Sequence, residues 1–342
     1  MQKYSLVLAL LFVATCFPAV ASYGQLDSAF NQRIAAAANL RSSNPDESLR
    51  LLEGIIEEAL MTGDTAQAVM ALVEEAGTFG HQANYKEAYD RLWKALSLAD
   101  RANLKGVSAR VYVAIGRYYS FYKRKEKALS YFQRSLEINQ ERIAAGEAEP
   151  GVLADNYYAF VSTYRELDEP GNAQKYLDSC WKYHNPEVSI INQPYLVFEG
   201  GCILDQMGKH AEALSAYQST IPWMEQYDVG YQTLVYTYMG DVLSRMGRLQ
   251  ESEAAYKQAL RISKATNSHR DFSPLIYEKL SDLFLLRGQY QEAHESLRTF
   301  NELDNQFFDS RSESNRPLLE IQDAFRQEKV KQEADRQQER LE

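Results

Sequence analysis

From Tyr236 to Ile262 (YTYMGDVLSRMGRLQESEAAYKQALRI) the apolar positions fall at helical spacing in two runs, which break at Met246-Gly247-Arg248. Large apolar residues stand at Tyr236, Met239, Leu243, Leu249, Tyr256 and Leu260, and small ones at Gly240, Ser252 and Ala259. This arrangement predicts a helical hairpin. The small residues let two antiparallel helices approach, and the large ones interdigitate around the crossing. The pattern returns along almost the whole chain. The residue equivalent to Ser252 is, in chain order, Ser48, Ala88, Ala128, Ala173 and Ala213 before it and Ala293 after it, so the steps are 40, 40, 45, 40, 39 and 41 residues. Twelve residues ahead of the marker stands a second small residue: Ala36, Ala76, Gly116, Gly201, Gly240 and Ser281, with Val161 the departure. A tyrosine precedes that position by four at Tyr112, Tyr157, Tyr236 and Tyr277.

Seven registered copies of a helix–turn–helix pattern resemble the tetratricopeptide repeat, in a long variant with about one and a half extra helical turns per unit. The resemblance implies an all-α, right-handed superhelix of about seven hairpins followed by a long C-terminal helix. The units are read at about 28–62, 64–103, 108–144, 153–183, 194–226, 233–266 and 273–304, with a capping helix and charged linker over 305–342. Local signals agree with these boundaries. Asn44-Pro45-Asp46 turns the chain into a second helix, and Asp64 is placed to cap a third. Gly146 to Gly151 (GEAEPG) accounts for the one 45-residue step. Gly200-Gly201 inside a helix predicts close packing against a neighbouring helix.

In repeats of this type the first helices line a concave face, and their outward positions are the natural contacts for a protein or peptide. Carried over, these positions are Arg110, Val113 and Arg117; Asp155, Tyr158, Ser162 and Arg165; Tyr195, Phe198 and Asp205; Thr237, Asp241 and Arg245; Glu278 and Asp282. Tyr, Phe and Arg are the residue types that anchor interfaces. Packing between neighbouring first helices is the competing role for each. The Lys/Asn clamp that other repeats of this kind use for terminal carboxylates is not present.

Composition narrows the function further. The 342 residues carry a net charge of −10, with 45% hydrophobic and 25% charged residues and 23 tyrosines. The acidic balance, with no basic stripe among the aromatics, argues against nucleic-acid binding. At the N-terminus, Lys3 supplies a positive charge, Leu6 to Val13 an apolar run, and Ala19-Val20-Ala21 a small-x-small site. Residues 1–21 therefore read as a secretory signal peptide, and an exported, periplasmic location is expected. Loss of the leader removes Cys16 and leaves Cys180 and Cys202, which in an oxidising compartment are either a disulfide or two buried thiols.

Catalysis has no residues to rest on. His81, His184, His210, His269 and His294 stand far apart, and no phosphate-cradling glycine loop or nucleophile motif occurs. No enzyme activity, cofactor or metal is expected. The tail carries a further resemblance. A signal peptide, long repeats and then LLEIQDAFRQEKVKQE leading into a Glu/Lys/Gln-rich helix are similar to the extracytoplasmic half of repeat-containing membrane regulators of Bacteroidetes. In those proteins a membrane helix follows, and then a histidine kinase or DNA-binding output module. Val330, Ala334 and Leu341 form a narrow seam in that helix, compatible with a coiled-coil linker or homodimer contact. The helix reaches Glu342 without a stop signal, so continuation into a membrane segment is expected. A free-standing periplasmic scaffold in envelope assembly is the alternative.

Overall fold

The computed structural model describes residues 28–41, 44–82, 84–121 and 124–311. These form fourteen α-helices and two short 3-10 turns, with no strand among the described residues. The helices pair in chain order: α1 (Ser28–Asn39) with α2 (Pro45–Thr62), α3 (Thr65–His81) with α4 (Tyr85–Arg101), α5 (Lys105–Phe121) with α6 (Lys125–Ala144) and α7 (Val152–Glu166) with α8 (Pro170–Tyr183). Then come α9 (Gln193–Gln206) with α10 (His210–Tyr227), α11 (Gln232–Arg245) with α12 (Leu249–Thr266) and α13 (Ser273–Leu286) with α14 (Tyr290–Arg311). The signal-peptide residues 1–21, Cys16 and the charged stretch beyond Arg311 lie outside the described residues.

Local chemistry sets the helix ends. The Asn44 side chain accepts from the Glu47 amide at the start of α2, with Pro45 in the first turn, and Asp64 does the same for Gln67 at α3. The turns inside units five, six and seven need a left-handed residue, which Gly208, Gly247 and Gly288 supply at φ between 71° and 78°. In unit four Asp168 takes that conformation at φ 58°. Two boundaries depart from the sequence reading. Helix α5 starts at Lys105, because left-handed Asn103 ends α4 and the chain re-enters a helix at once; Ser108 donates instead to the Asp100 carboxylate at 2.8 Å. Helix α14 does not stop at Asp304 but runs on to Arg311.

The hairpin crossings show how side-chain volume sets the helix approach. A Cβ on Gly116, Gly201 or Gly240 would run into Phe132, Tyr217 or Tyr256 respectively, a ring sixteen residues downstream in every case. Where the small position is larger, the partner sixteen residues on is leucine: Ala76 faces Leu92 and Val161 faces Leu177, all four buried. Gly201 thus has the close-packing role expected of it, while a Cβ on Gly200 meets only Leu177, at an ordinary 3.4 Å. In unit one Ala36 is exposed, while Ala35, Ala37 and Ala38 are buried.

Each first helix from α1 to α11 touches the first helices of adjacent units, whereas each second helix reaches forward to the following first helix. The more closely spaced first helices therefore form the inner, concave wall of a superhelix. The buried apolar residues form two clusters, one from Ile34 to Phe160 and one from Ala154 to Ala293, which meet at α7.

Cys180 and Cys202 are free buried thiols. Cys180 donates to the Ala154 carbonyl, and burial pushes both thiols up from their ordinary range. Neither is therefore expected to react with an alkylating reagent until the chain unfolds. Mass mapping of the label with and without denaturant checks this. Native-state modification of either residue would contradict the packing.

Candidate functional site

The outward positions of the inner helices divide into three groups. The first has turned inward. Phe198 is fully buried, with its ring against Tyr217, Tyr231 and Tyr238, and Tyr195 is buried against Trp223 and Tyr231 while its hydroxyl donates to Asp228 at 2.7 Å. Both lie in the core rather than on the groove, because aromatic side chains of α10, the 3-10 turn and α11 enclose their rings. Tyr195 still serves the groove indirectly. It holds Asp228, whose carboxylate caps the 3-10 turn Val229–Tyr231 that carries Tyr231.

The second group ties unit to unit. Arg165, 1% exposed, donates to Glu199 through Nε at 2.6 Å and Nη2 at 3.4 Å, and through Nη1 to the Tyr238 hydroxyl at 3.2 Å. Burial disfavours its charged form, but the Glu199 carboxylate overrides this and raises the Arg165 pKa well above its ordinary value. Asp205 accepts from Arg245 at 2.5 Å and from His210 Nδ1 at 2.8 Å, and Asp241 accepts from Tyr256 at 2.6 Å and from Lys279 at 2.8 Å. Arg41 and Glu74 make a further buried pair between units one and two.

The third group stays on the floor of the groove. Arg110 approaches the Met70 sulfur at 3.9 Å. Arg117 keeps partial solvent access, yet desolvation is the largest influence on it and lowers its pKa. The Arg117 guanidinium is thus largely enclosed by protein although water still reaches part of it. Its guanidinium carbon lies 5.8 Å from the Tyr158 ring centre, and its Nε meets no hydrogen-bond partner. Tyr158 and Tyr231 are both buried, and their hydroxyls approach closely enough to interact with one another. Asp155 is at the same depth. It accepts from the backbone amides of Ile190 and Ile191 at 3.0 and 2.8 Å, clasping the 184–192 connection onto α7. Burial pushes its carboxyl up to about 6 against those two amides.

That shift fixes a pH dependence. A carboxyl whose pKa is higher folded than unfolded binds its proton more tightly in the native state, so stability falls as pH rises between the two values. The stability difference between the parent and Asp155→Asn should therefore change by no more than about 3 kcal/mol from pH 4 to pH 7, with the parent losing ground. Urea titrations of both across that range measure it. A flat difference would mean that Asp155 is as well solvated folded as unfolded.

Sequence reasoning found Arg117, Tyr158, Arg165 and Asp155, but not Glu199, Tyr231 or Tyr238. A signal for Glu199 was available. It stands two residues before the small position of its unit, as does Glu74 in unit two and Lys279 in unit seven, and all three make ion pairs with the preceding unit. Among the described residues no group of three or more His, Cys, Asp or Glu side chains could hold a metal ion, and no helix is long and apolar enough to cross a membrane.

Two stretches, residues 109–142 and 231–299, match family models of the tetratricopeptide repeat. No curated protein matches the sequence. Among solved structures the chain is similar to the APC/C hetero-tetramer Cut9-Hcn1, with a TM-score of 0.60 and 15% identity over 90% of this chain and 52% of that one. It therefore spans about half the length of that match. It is also similar to a Rap protein complexed with Competence and Sporulation Factor, with a TM-score of 0.61 and 16% identity over 82% and 76% of the two chains. At such identities the likeness shows the fold, a superhelical solenoid of tetratricopeptide repeats.

Proposed function

We propose that this tetratricopeptide-repeat solenoid is a non-catalytic scaffold that binds a protein or peptide segment along its concave face, outside the cytoplasm. The observation that carries the reading is the floor of the groove. Arg110, Arg117 and Asp155 keep partial solvent access on consecutive first helices, with the Arg117 guanidinium against the buried Tyr158 ring. A surface meant only for water has no reason to hold charged groups that the protein itself desolvates. The similar Rap protein was solved in complex with Competence and Sporulation Factor, which supports the choice of a binding role on this fold.

The place of action rests on the sequence: the leader over residues 1–21 supports export, and the Glu/Lys/Gln-rich tail supports a sensory region joined to a membrane regulator. Ligand in the groove would alter the curvature of the solenoid, and the terminal helix would pass the change on. The test of binding is retention of short synthetic peptides on the immobilised chain, with measured affinities for the retained members. Micromolar or tighter retention, blocked by charge reversal at Arg110, supports the reading, and absence of any retained peptide defeats it. For the regulator, the coding sequence past the Glu342 codon is read. An apolar run of about 20 residues there supports a membrane-anchored sensor. A stop codon there favours the free-standing scaffold.

A further inference from the structure

Unit seven closes the described stack with an exposed apolar face. Leu297 stands sixteen residues after the small residue Ser281 and is 44% exposed. Its equivalents Leu52, Leu92, Phe132, Leu177, Tyr217 and Tyr256 are at most 3% exposed. Leu285, four residues after Ser281, is 50% exposed. The same place holds Ser120, Arg165 and Asp205 in units three to five, where they reach Thr163, Glu199 and Arg245 of the following unit. Leu286 and Tyr290 are exposed as well. In each earlier unit the next first helix lies against this face. An apolar surface of this kind marks a docking site.

The sequence beyond Arg311 supplies the pattern of one more first helix. In units five and seven a proline and two apolar residues stand seven, six and five places before the small position. They are Pro194-Tyr195-Leu196 before Gly201 and Pro274-Leu275-Ile276 before Ser281, and all four apolar side chains are buried. Pro317-Leu318-Leu319 stands at the same distances before Ala324, which follows Ser281 by 43 residues, within the range of the earlier steps. Two places before the small position, Glu199 and Lys279 reach back to the preceding unit. The corresponding residue is Gln322, and Leu318, Leu319 and Phe325 are its helical neighbours at three and four residues. The apolar stripe therefore falls on the side that meets unit seven.

The opposite side has lost its apolar character. Four places before and three places after the small residue, Tyr112 and Tyr119 stack on Tyr131 of their own second helix, and Tyr157 and Tyr164 pack against Tyr176 of theirs. The corresponding residues beyond Arg311 are Glu320 and Gln327. We propose that residues 317–325 dock on the end face of unit seven as an eighth first helix, with a polar face where a second helix would lie. The chain's own segment is favoured over a second copy. Five residues, 312–316, join it to α14, and six suffice between α12 and α13, so its local concentration at the face is high. First helices pack more extensively on their own second helix than on the preceding one. The eighth helix is thus held by the weaker contact alone and releases before the rest of the stack, whatever the groove binds.

The test uses the full chain with Leu285→Cys and Gln322→Cys, placed as Arg165 and Glu199 are, and a short bismaleimide cross-linker. Cys180 and Cys202 are buried and stay unlabelled. A link within one chain is expected, and its rate should fall about 10-fold or more when Leu318→Asp and Leu319→Asp are added. An unchanged rate would mean tethering without docking and would overturn the proposal. Links between chains would assign the face to a second copy, and no link at all would leave it without this occupant; either result overturns the proposal. In deuterated water the Leu318→Asp, Leu319→Asp chain should exchange the amides of α13 about 10-fold faster than the parent, with α1 to α8 unchanged. Equal exchange at α13 would again count against docking.

Discussion

Glu199→Ala is expected to destabilise the chain by about 3–5 kcal/mol, the largest effect of any single polar substitution proposed for it. Glu199 is wholly buried and Arg165 is 1% exposed, so water does not readily take over when the partner is removed. Glu166 lies 3.7 Å from Arg165 Nη2 but on the same helix, where it cannot reach the gap left at α9. The loss should exceed what the pair contributes, because most of it is the penalty of leaving a buried guanidinium with only the Tyr238 hydroxyl at 3.2 Å and Glu166 at 3.7 Å. Replacing Arg165 and Glu199 together with methionine should therefore recover most of the stability. Urea unfolding of the parent, the single and the double variant measures the three values. A single-variant cost below about 1 kcal/mol would show that the site hydrates readily, contrary to its burial.

Gly116→Val is expected to cost about 3 kcal/mol or more. Its Cβ would overlap the Phe132 ring and stand 3.1 Å from the Ala128 carbonyl oxygen, and Phe132 is itself wedged edge-on against Phe160 at 5.5 Å. The gain from removing glycine from a helix interior, about 1 kcal/mol, is too small to offset this. The more diagnostic experiment copies another unit. Ala with Leu is the combination at Ala76 and Leu92, so Gly116→Ala and Phe132→Leu should each destabilise, and the double variant by less than their sum. A coupling of about 1–2 kcal/mol in the double-mutant cycle is expected for residues in direct contact. Strict additivity would show that the two positions do not share one volume.

The repeat, the hairpins and the inner wall were legible because helical spacing and the small markers recur seven times, which averages out local noise. The unit-one register was not, since four consecutive alanines (Ala35 to Ala38) offer no contrast, and Ala36 is the one of them that is exposed. The groove was legible as a set of helices and less so as a set of side chains. On a helix between two neighbours, a shift of one position decides whether Tyr or Phe meets solvent or core, and Tyr195 and Phe198 went to the core. Glu199 was overlooked because it lies in an apolar run, YLVFEGG, and its partner lies 34 residues earlier. Only the repeat register, aligned across units two, five and seven, exposes it.

One bond connects parts of the stack that the repeat alone leaves separate. Arg165 in unit four reaches Tyr238 in unit six, a separation of 73 residues that skips unit five altogether. In a stack coupled only between neighbours, each unit would exchange its amide hydrogens at a rate set by its own opening and that of the units beside it. Units four and six cannot open singly without breaking this tie, nor unit five without breaking the Arg165–Glu199 pair. Their slowest amides should therefore exchange together as one block in deuterated water, while the outer units release theirs earlier and in sequence.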